Sequence, residues 1–170
     1  KKLIKNNIFN SINIECDLSD IESVKKLIDK LKEDKICIDI LIHNAAVLTP
    51  KSFEETTPEY WNEMVNISLN TGYLLSKYVW TNMKNKKHGI IIYVSSRAGV
   101  EGFENESAYC ASKHALEGLM KSLALEGKKK GIQVFTITPG MFMKTPMSEQ
   151  NYEDEYKKKW IDPIELAPAF

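Results

Sequence analysis

A tyrosine and a lysine lie four residues apart in the segment Tyr109-Cys110-Ala111-Ser112-Lys113. In a helix this spacing puts the two side chains on one face, one turn apart. A free phenol has a pKa of about 10, and a nearby ammonium group stabilises the phenolate and lowers that value. General acid–base catalysis is most efficient when the pKa lies near the working pH. The pair therefore indicates a tyrosine that exchanges a proton, although the same spacing alone also fits an exposed helix face.

Other polar residues before this pair strengthen the catalytic interpretation. Ser96 lies thirteen residues before Tyr109, at the end of an apolar run, where a hydroxyl can donate to a substrate oxygen. The small residues of Asn44-Ala45-Ala46 would let a ligand approach the backbone closely. Asn66 lies in a long helical pattern, where asparagine is a mediocre helix former, and its carbonyl could hold a water connected to Lys113. Each has an ordinary alternative: a capping serine, a turn asparagine or a solvated helical asparagine.

Apolar runs alternate with amphipathic stretches that must position these residues. The predicted strands are Ile12–Cys16, Ile36–Ile42, Gly89–Val94 and Ile132–Ile137. The predicted helices run from a capping box at Ser19 through Leu31, from Thr57-Pro58 to about Met83, from about Ser107 to Lys128, and onward from Asp162-Pro163. This alternation predicts one α/β domain over residues 1–170. Its fold would be a doubly wound, Rossmann-like parallel sheet in three αβα layers.

The strand ends are where such a sheet binds ligands. Asp17 follows the first predicted strand, Asn44 the second, Ser96 the third and Pro139-Gly140 the fourth. Amino-acid composition alone would not place a candidate residue directly after each of the four predicted strands. The sequence therefore predicts a ligand site at the carboxyl edge of the sheet.

Charge and hydropathy narrow the class of partner. Basic and acidic residues number 23 each, so the formal net charge is zero. The phosphates of nucleic acid select a basic surface, so the balance argues against a nucleic-acid partner and against a polybasic membrane patch. No uninterrupted apolar run reaches about 18 residues, so no membrane span is expected. Neither a nucleic-acid partner nor a membrane partner is therefore expected.

Cysteine usage bears on metal binding and on compartment. Cys16, Cys37 and Cys110 show no C-x-x-C spacing and are expected to be small buried hydrophobic residues rather than metal ligands or disulfide partners. No metal site is predicted. The first residues lack the apolar stretch and the small-residue cleavage site of a signal peptide. A reducing compartment, and hence the cytoplasm, is expected.

These motifs resemble the short-chain dehydrogenase/reductase family, in its shorter single-domain type, which includes 3-oxoacyl-carrier-protein reductases. The resemblance spans nearly the whole chain. Ser96, Tyr109 and Lys113 match the family's catalytic serine, tyrosine and lysine in type and spacing. Asn66, within Val65-Asn66-Ile67, matches the helix asparagine of the family's proton relay.

The same resemblance implies a set of cofactor contacts. Asp17-Leu18 resembles the pair that contacts adenine, and Pro139-Gly140 the turn whose backbone faces the nicotinamide. Asn44-Ala45-Ala46 resembles the family's Asn-Ala-Gly, with alanine in place of the last glycine. Thr145 resembles the threonine that contacts the carboxamide, but lies one residue further from the proline than is usual. Together with Tyr109 and Lys113, these residues are the expected binding set for NAD or NADP, between which the sequence does not discriminate.

The implied reaction is hydride transfer between the nicotinamide and a carbonyl or secondary alcohol carbon of a small-molecule substrate, which is the partner that the resemblance implies. By this resemblance, Tyr109 exchanges the proton, and Ser96 positions and polarises the substrate oxygen. Lys113 lowers the tyrosine pKa and binds the ribose hydroxyls of the nicotinamide, and Asn66 holds the relay water. The family commonly forms dimers and tetramers through the helices that here begin at Pro58 and Ser107. A homodimer or homotetramer is therefore expected of the full-length protein.

Three alternatives to a complete and active enzyme of this type are considered. None of the eight glycines forms the G-x-x-x-G-x-G loop that cradles a pyrophosphate, so the chain is expected to lack the family's N-terminal unit and C-terminal end. Such a fragment would bind cofactor weakly and could be inactive. A non-catalytic dinucleotide-binding module is a second alternative, although all four catalytic residue types are present. An extended-type sugar-nucleotide epimerase or dehydratase is a third, but it typically places the serine or threonine further from the tyrosine.

Overall fold

The centre of the molecule is a parallel sheet of three strands. The computed structural model describes residues 11–139, 143–152 and 160–166, so the predicted site residue Gly140 lies outside the described residues. The strands are β1 (Ile40–His43), β2 (Gly89–Val94) and β3 (Ile132–Ile137), in the order β1-β2-β3. Both pairings are parallel, which confirms the predicted Rossmann-like α/β fold.

Helices connect the strands and follow the last of them. They are α1 (Ile21–Glu33), α2 (Pro58–Val65), α3 (Thr71–Lys86), α4 (Ser107–Lys128), α5 (Pro146–Asn151) and α6 (Pro163–Leu166). A π-helical turn, Asn66–Asn70, joins α2 to α3, and a short 3₁₀ helix, Arg97–Gly99, follows β2. The predicted bounds of β2, α4 and β3 are confirmed. The helix α5 is an element that the sequence did not predict.

One face of the sheet carries the core. The side chains of Leu41, Ile91 and Val134, which share this face by register, are buried beneath α3 and α4. Alternate residues of a strand point to opposite faces, and on the other face Ile40 is 54% exposed and Ile42 48% exposed. The helical layer that the structure describes therefore covers the first of these faces.

Two sequence predictions near the start of the chain are wrong. Residues 11–17 form no strand, although Ile12–Cys16 was predicted to be one. A strand needs a neighbour for its backbone hydrogen bonds, and none of the described strands lies beside this segment. The cap of α1 is Asp20, whose carboxylate accepts from the Glu22 N–H, while the Ser19 hydroxyl donates to Asp17 instead.

The long helix predicted from Pro58 to about Met83 is interrupted by the π-helical turn. There the Thr71 N–H donates to the Asn66 carbonyl five residues earlier, rather than four. Such turns widen a helix locally and are frequent at functional sites. Apolar periodicity does not reveal a one-residue change in hydrogen-bond register, so the sequence predicted an unbroken helix.

The turn between α4 and β3 depends on a glycine. Gly131 has a φ of 74°, and a Cβ at this position would collide with the Lys87 carbonyl group. We expect Gly131→Ala to lower the free energy of unfolding by more than about 1 kcal/mol, measured by urea titration. The helical Gly118 is the control, because a Cβ there meets nothing within 4 Å and Gly118→Ala should raise stability by about 0.5–1 kcal/mol. Equal effects of the two substitutions would contradict this account of the turn.

Candidate active site

A cavity of about 740 Å³ lies at the carboxyl edge of the sheet, where the topology places a ligand site. Its wall includes the ends of β1 and β2, the buried face of α4, and the start of α5. The sequence-predicted residues on its wall are Asn44, Ala45, Ala46, Ser96, Tyr109, Lys113, Pro139 and Thr145. The structure thus brings together eight predicted residues from separate segments of the chain.

Tyr109 and Lys113 occupy the buried face of α4. Tyr109 is 6% exposed and Lys113 is 2% exposed, so the pair does not lie on a solvated helix face. Lys113 Nζ donates to the Val94 carbonyl oxygen at 2.8 Å, which ties the ammonium to the end of β2. The same nitrogen lies 5.6 Å from the centroid of the Tyr109 ring. The phenol and the ammonium therefore share one enclosed space.

Burial controls the proton affinity of the phenol. Burial raises the pKa of Tyr109 to about 12, a hydrogen bond with Ser96 opposes that rise, and the charge of Glu106 adds to it. The sequence predicted a pKa lowered by Lys113, and in this structure the pKa lies above the ordinary value. Tyr109 is consequently protonated at neutral pH and is a proton donor.

Lys113 and His43 are affected by burial in the opposite direction. Burial lowers the pKa of Lys113 to about 8, and Glu117 opposes this change. Burial also lowers the pKa of His43, although its hydrogen bond to the Ser68 carbonyl opposes the change, and the charge of Lys113 lowers the pKa further. His43 Nε2 lies 2.9 Å from that carbonyl oxygen, which can only accept, so Nε2 carries the hydrogen. At neutral pH the histidine is neutral and the lysine is mostly charged.

Ser96 lies between β2 and the 3₁₀ helix. Its Oγ accepts a hydrogen bond from the Ala98 N–H at 3.2 Å, which is the capping role that the sequence left open for it. A hydroxyl that accepts from a backbone amide keeps its own proton for donation. Ser96 also lines the cavity, and its hydrogen bond with Tyr109 opposes the rise in the tyrosine pKa. The serine can therefore cap the 3₁₀ helix and act as a polar group in the cavity at the same time.

Asn66 lies on the π-helical turn rather than on the cavity wall. Its amide nitrogen donates to the Ser19 carbonyl at 2.9 Å, and its side-chain oxygen accepts from Asn70 at 2.8 Å. The π-helical turn packs against α4, the helix that carries Lys113. Both ends of the side chain are thus engaged in holding the preceding loop, and the backbone carbonyl is the group left for the relay role.

Asp17-Leu18 lies next to the π-helical turn and outside the cavity wall. The Asp17 carboxylate accepts from the Ser19 N–H at 2.9 Å and from its hydroxyl at 2.7 Å, and these bonds hold the pKa of Asp17 below its usual value. The Leu18 carbonyl accepts from the Thr71 hydroxyl at 3.1 Å. The segment is therefore fixed against the π-helical turn by hydrogen bonds.

Thr145 lines the cavity and also begins α5. Its hydroxyl oxygen accepts from the Ser148 N–H at 3.2 Å, which is an ordinary helix cap. Helix capping alone is enough to explain a threonine at this position, with no need for a ligand contact. Its predicted contact with a carboxamide rests on the resemblance alone.

Sequence reasoning missed two acidic residues, Glu106 directly before α4 and Glu117 within it. Glu106, Tyr109, Lys113 and Glu117 are spaced by three, four and four residues, so they share one face. That spacing was the signal that could have revealed them. Glu106 lines the cavity, burial raises its pKa, and its carboxylate accepts from the Tyr152 hydroxyl at 3.1 Å.

The prediction that the three cysteines are buried has a mixed outcome. Cys110 is buried as expected, but Cys37 is exposed and Cys16 is intermediate, so burial was wrong for two of the three. No group of three or more candidate ligands among histidine, cysteine and acidic residues occurs in the described ranges. Within those same ranges, no helix is long and apolar enough to cross a membrane.

Comparison with known proteins identifies what the chain is similar to. The family model described as short chain dehydrogenase matches residues 1–156. The 3-oxoacyl-acyl-carrier-protein reductase FabG of Buchnera aphidicola (subspecies Schizaphis graminum) is 34% identical over 157 residues, which are 92% of this chain and 63% of that protein. The chain thus spans less than two thirds of the length of this relative.

Solved structures agree with the sequence comparison. 4-Hydroxyisoleucine dehydrogenase complexed with NADH is 26% identical, has a TM-score of 0.84, and is matched over 92% of this chain and 68% of its own. A metagenomic short-chain oxidoreductase in complex with NADP is 30% identical, has a TM-score of 0.70, and is matched over 75% and 57% respectively. These matches confirm the Rossmann-like fold.

Proposed function

Because the chain belongs to the short-chain dehydrogenase family, we propose that its cavity is the catalytic site of an oxidoreductase that interconverts a carbonyl compound and an alcohol with NAD or NADP. One observation carries the proposal. Tyr109 and Lys113 are buried together on one face of α4, and the cavity that they line also contains Ser96. A buried phenol next to a buried ammonium is an arrangement suited to proton exchange.

The cavity fits the nicotinamide end of such a cofactor. It opens at the carboxyl edge of a parallel sheet, and Ala45 and Ala46 present little side chain there. We assign Asn44-Ala45-Ala46, Pro139 and Thr145 to this end, and Asp17-Leu18 to the adenine end. When bound, the cofactor supplies or takes up the hydride that the protein itself cannot provide.

The protein's own residues manage the proton. With its pKa raised to about 12, Tyr109 holds a proton at neutral pH and can donate it to a carbonyl oxygen that becomes an alcohol. The Ser96 hydroxyl donates a second hydrogen bond to that oxygen and so stabilises developing negative charge. Lys113 provides positive charge next to the phenol. In the oxidative direction the same groups work in reverse.

The π-helical turn supports a path that returns the proton from solvent. The side chain of Asn66 is engaged by Ser19 and Asn70, so we assign the relay to its backbone carbonyl, which has a second lone pair beyond the bond from Thr71. A water held there would connect this carbonyl to Lys113. The π-helical turn sets the orientation of the carbonyl.

The cavity wall also points to the kind of substrate. Leu48, Phe103 and Met147 give it an apolar side, and the Glu106 carboxylate gives it one acidic group. We propose a small substrate with an apolar portion and a ketone or secondary alcohol. Two relatives are named for compounds that contain such a group, a 3-oxoacyl chain in one name and 4-hydroxyisoleucine in the other.

A homodimer or homotetramer is the proposed assembly of the full-length protein. The helices that the resemblance assigns to the contact carry exposed apolar side chains, of which Trp61 lies on α2 and Leu125 on α4. Leu125 is 78% exposed. A contact between copies that covers these side chains would remove apolar surface from water.

A substrate panel tests the proposed function. The full-length protein is mixed with NADH or NADPH and a set of ketones that includes 3-oxoacyl thioesters and hydroxy amino acid precursors, and nicotinamide absorbance is followed. We expect loss of the reduced cofactor with at least one ketone, and formation of the alcohol. Failure to turn over any ketone or alcohol with either cofactor would refute the proposal.

Replacing Ser96 tests its part in catalysis. We expect Ser96→Ala to lower kcat/KM by about 100-fold, because one donor to the developing negative charge is lost. Ser96→Thr keeps the hydroxyl and should retain more activity than Ser96→Ala. Both variants are compared with the wild type by thermal unfolding, since the serine also caps the 3₁₀ helix. Equal loss in the two variants would show that the hydroxyl is not the important group.

A further inference from the structure

Glu117 is a buried carboxylate that the proposed chemistry does not use. The residue is 8% exposed and lies one helical turn after Lys113 on α4. Its Oε2 accepts from the Thr136 hydroxyl at 3.2 Å, but its Oε1 is buried and has no hydrogen-bond partner in the described part of the chain. An apolar side chain of similar volume would avoid the cost of burying that oxygen. Packing alone therefore does not explain a carboxylate here.

The surroundings of Glu117 link it to the site. Ser95 Oγ is likewise buried and without a partner among the described residues. A Cβ on Gly99 would lie 2.7 Å from Ser95 Oγ and 3.2 Å from Glu117 Cγ, so these two groups approach the same point. Val94, whose carbonyl accepts from Lys113 Nζ, directly precedes Ser95. The Glu117 side chain and the Lys113 ammonium thus both lie next to the segment Val94-Ser95 at the end of β2.

The charges around Lys113 are few. Burial lowers the pKa of Lys113, and the charge of Glu117 opposes that lowering. The other titratable groups near it are Tyr109 and His43, both neutral at neutral pH because burial raises the pKa of the phenol and lowers that of the imidazole. Glu106 acts on Tyr109 from the preceding turn. Glu117 is therefore the acidic partner of the lysine within the described residues.

We propose that Glu117 is a positioning residue, which keeps the Lys113 side chain in its ammonium form next to Tyr109. The inference rests on the proposed function, in which that ammonium supports proton exchange by the phenol. After the pair has lost one proton, it is either a phenol with an amine or a phenolate with an ammonium. The first form becomes the second when one proton moves from Tyr109 Oη to Lys113 Nζ. A buried carboxylate near the nitrogen favours the second pair. The hydrogen bond from Thr136 holds the carboxylate in place.

The direct test is a titration of Lys113 in the full-length protein. Lysine is labelled with ¹³C at Cε, the Lys113 signal is assigned from its absence in Lys113→Met, and its shift is followed with pH by NMR. We expect a midpoint of about 8 in the wild type. In Glu117→Gln the midpoint should fall by about one pH unit. Glu126→Gln, an exposed change on the same helix, should leave it unchanged.

Activity gives a second readout. In Glu117→Gln the rising limb of kcat/KM against pH for alcohol oxidation should move to lower pH together with the Lys113 midpoint. Its plateau should fall, because a smaller share of the singly deprotonated pair is phenolate with ammonium. Thr136→Val removes the hydrogen bond but keeps the charge, so it should move both midpoints less than Glu117→Gln does. If Glu117 had only a structural role, both variants would lower thermal stability and leave the midpoints in place. That result would overturn the inference.

Two outcomes need separate treatment. If Glu117→Gln does not fold, Glu117→Asp takes its place, because a carboxylate one methylene further away should lower the Lys113 midpoint slightly. A midpoint that is unchanged or raised in Glu117→Asp would overturn the inference. If the wild type turns over no alcohol or ketone, the proposed function fails, while the NMR titration still decides whether Glu117 sets the protonation of Lys113.

Discussion

Replacing Tyr109 by phenylalanine should lower kcat/KM of the full-length protein by at least about 100-fold, the contribution typical of a positioned general acid or base. The ring stays in its buried place on α4, so the fold and the binding of NADH or NADPH should change little. Only the hydroxyl that donates the proton is lost. Steady-state kinetics with the substrate found in the panel, together with cofactor binding by fluorescence titration, measures both expectations.

A second tyrosine provides the control. Tyr78 donates its hydroxyl to the Ile36 carbonyl oxygen and does not line the cavity. Tyr78→Phe therefore removes a hydrogen-bonded phenol of the same kind without touching the site, and should keep near-normal kcat/KM. If Tyr109→Phe were as active as Tyr78→Phe, the phenol would not be the proton donor and the proposed chemistry would be wrong.

Replacing Lys113 by methionine should separate activity from stability. We expect kcat/KM to fall by at least about 100-fold, because the phenol loses the charge that makes its proton exchange efficient. The free energy of unfolding should fall by no more than about 1–3 kcal/mol, because methionine fills a similar volume while the Val94 carbonyl and the Glu117 carboxylate lose their partner. Affinity for the cofactor should also fall if the ammonium binds the ribose hydroxyls.

Lys121 is the matched control for this change, because it is an exposed lysine on the same helix. Lys121→Met should alter neither kcat/KM nor cofactor affinity. Kinetics and urea titration of the two variants are compared side by side. A Lys113→Met protein that is active, or one that is inactive only because it is unfolded, would contradict the role given to the ammonium.

The sequence predicted the elements that carry a strong periodic signal. Gly89–Val94 and Ile132–Ile137 are dense in β-branched or apolar residues, and the structure forms strands with those bounds. Ile12–Cys16 has a similar local pattern but forms no strand. The difference lies outside the segment itself: a strand depends on a neighbour to accept its backbone hydrogen bonds, and local sequence does not say whether one is there.

The site was predictable in its residue types and less so in its energetics. The spacing of Tyr109 and Lys113 predicted a shared helix face, and the structure places both on the cavity wall. Their pKa values could not be predicted, because the direction of each shift depends on how deeply α4 is buried. Likewise the engagement of the Asn66 side chain follows from the π-helical turn, which has no signature in the apolar pattern.

Transfer of labelled hydride tests the central claim most directly. The full-length protein is given NADH or NADPH that carries deuterium at C4 of the nicotinamide, together with the ketone that it reduces, and the alcohol product is examined by mass spectrometry and NMR. The account predicts one deuterium on the carbinol carbon of the product, and its loss from the cofactor. A product alcohol without deuterium at that carbon, with either stereoisomer of the labelled cofactor, would contradict it.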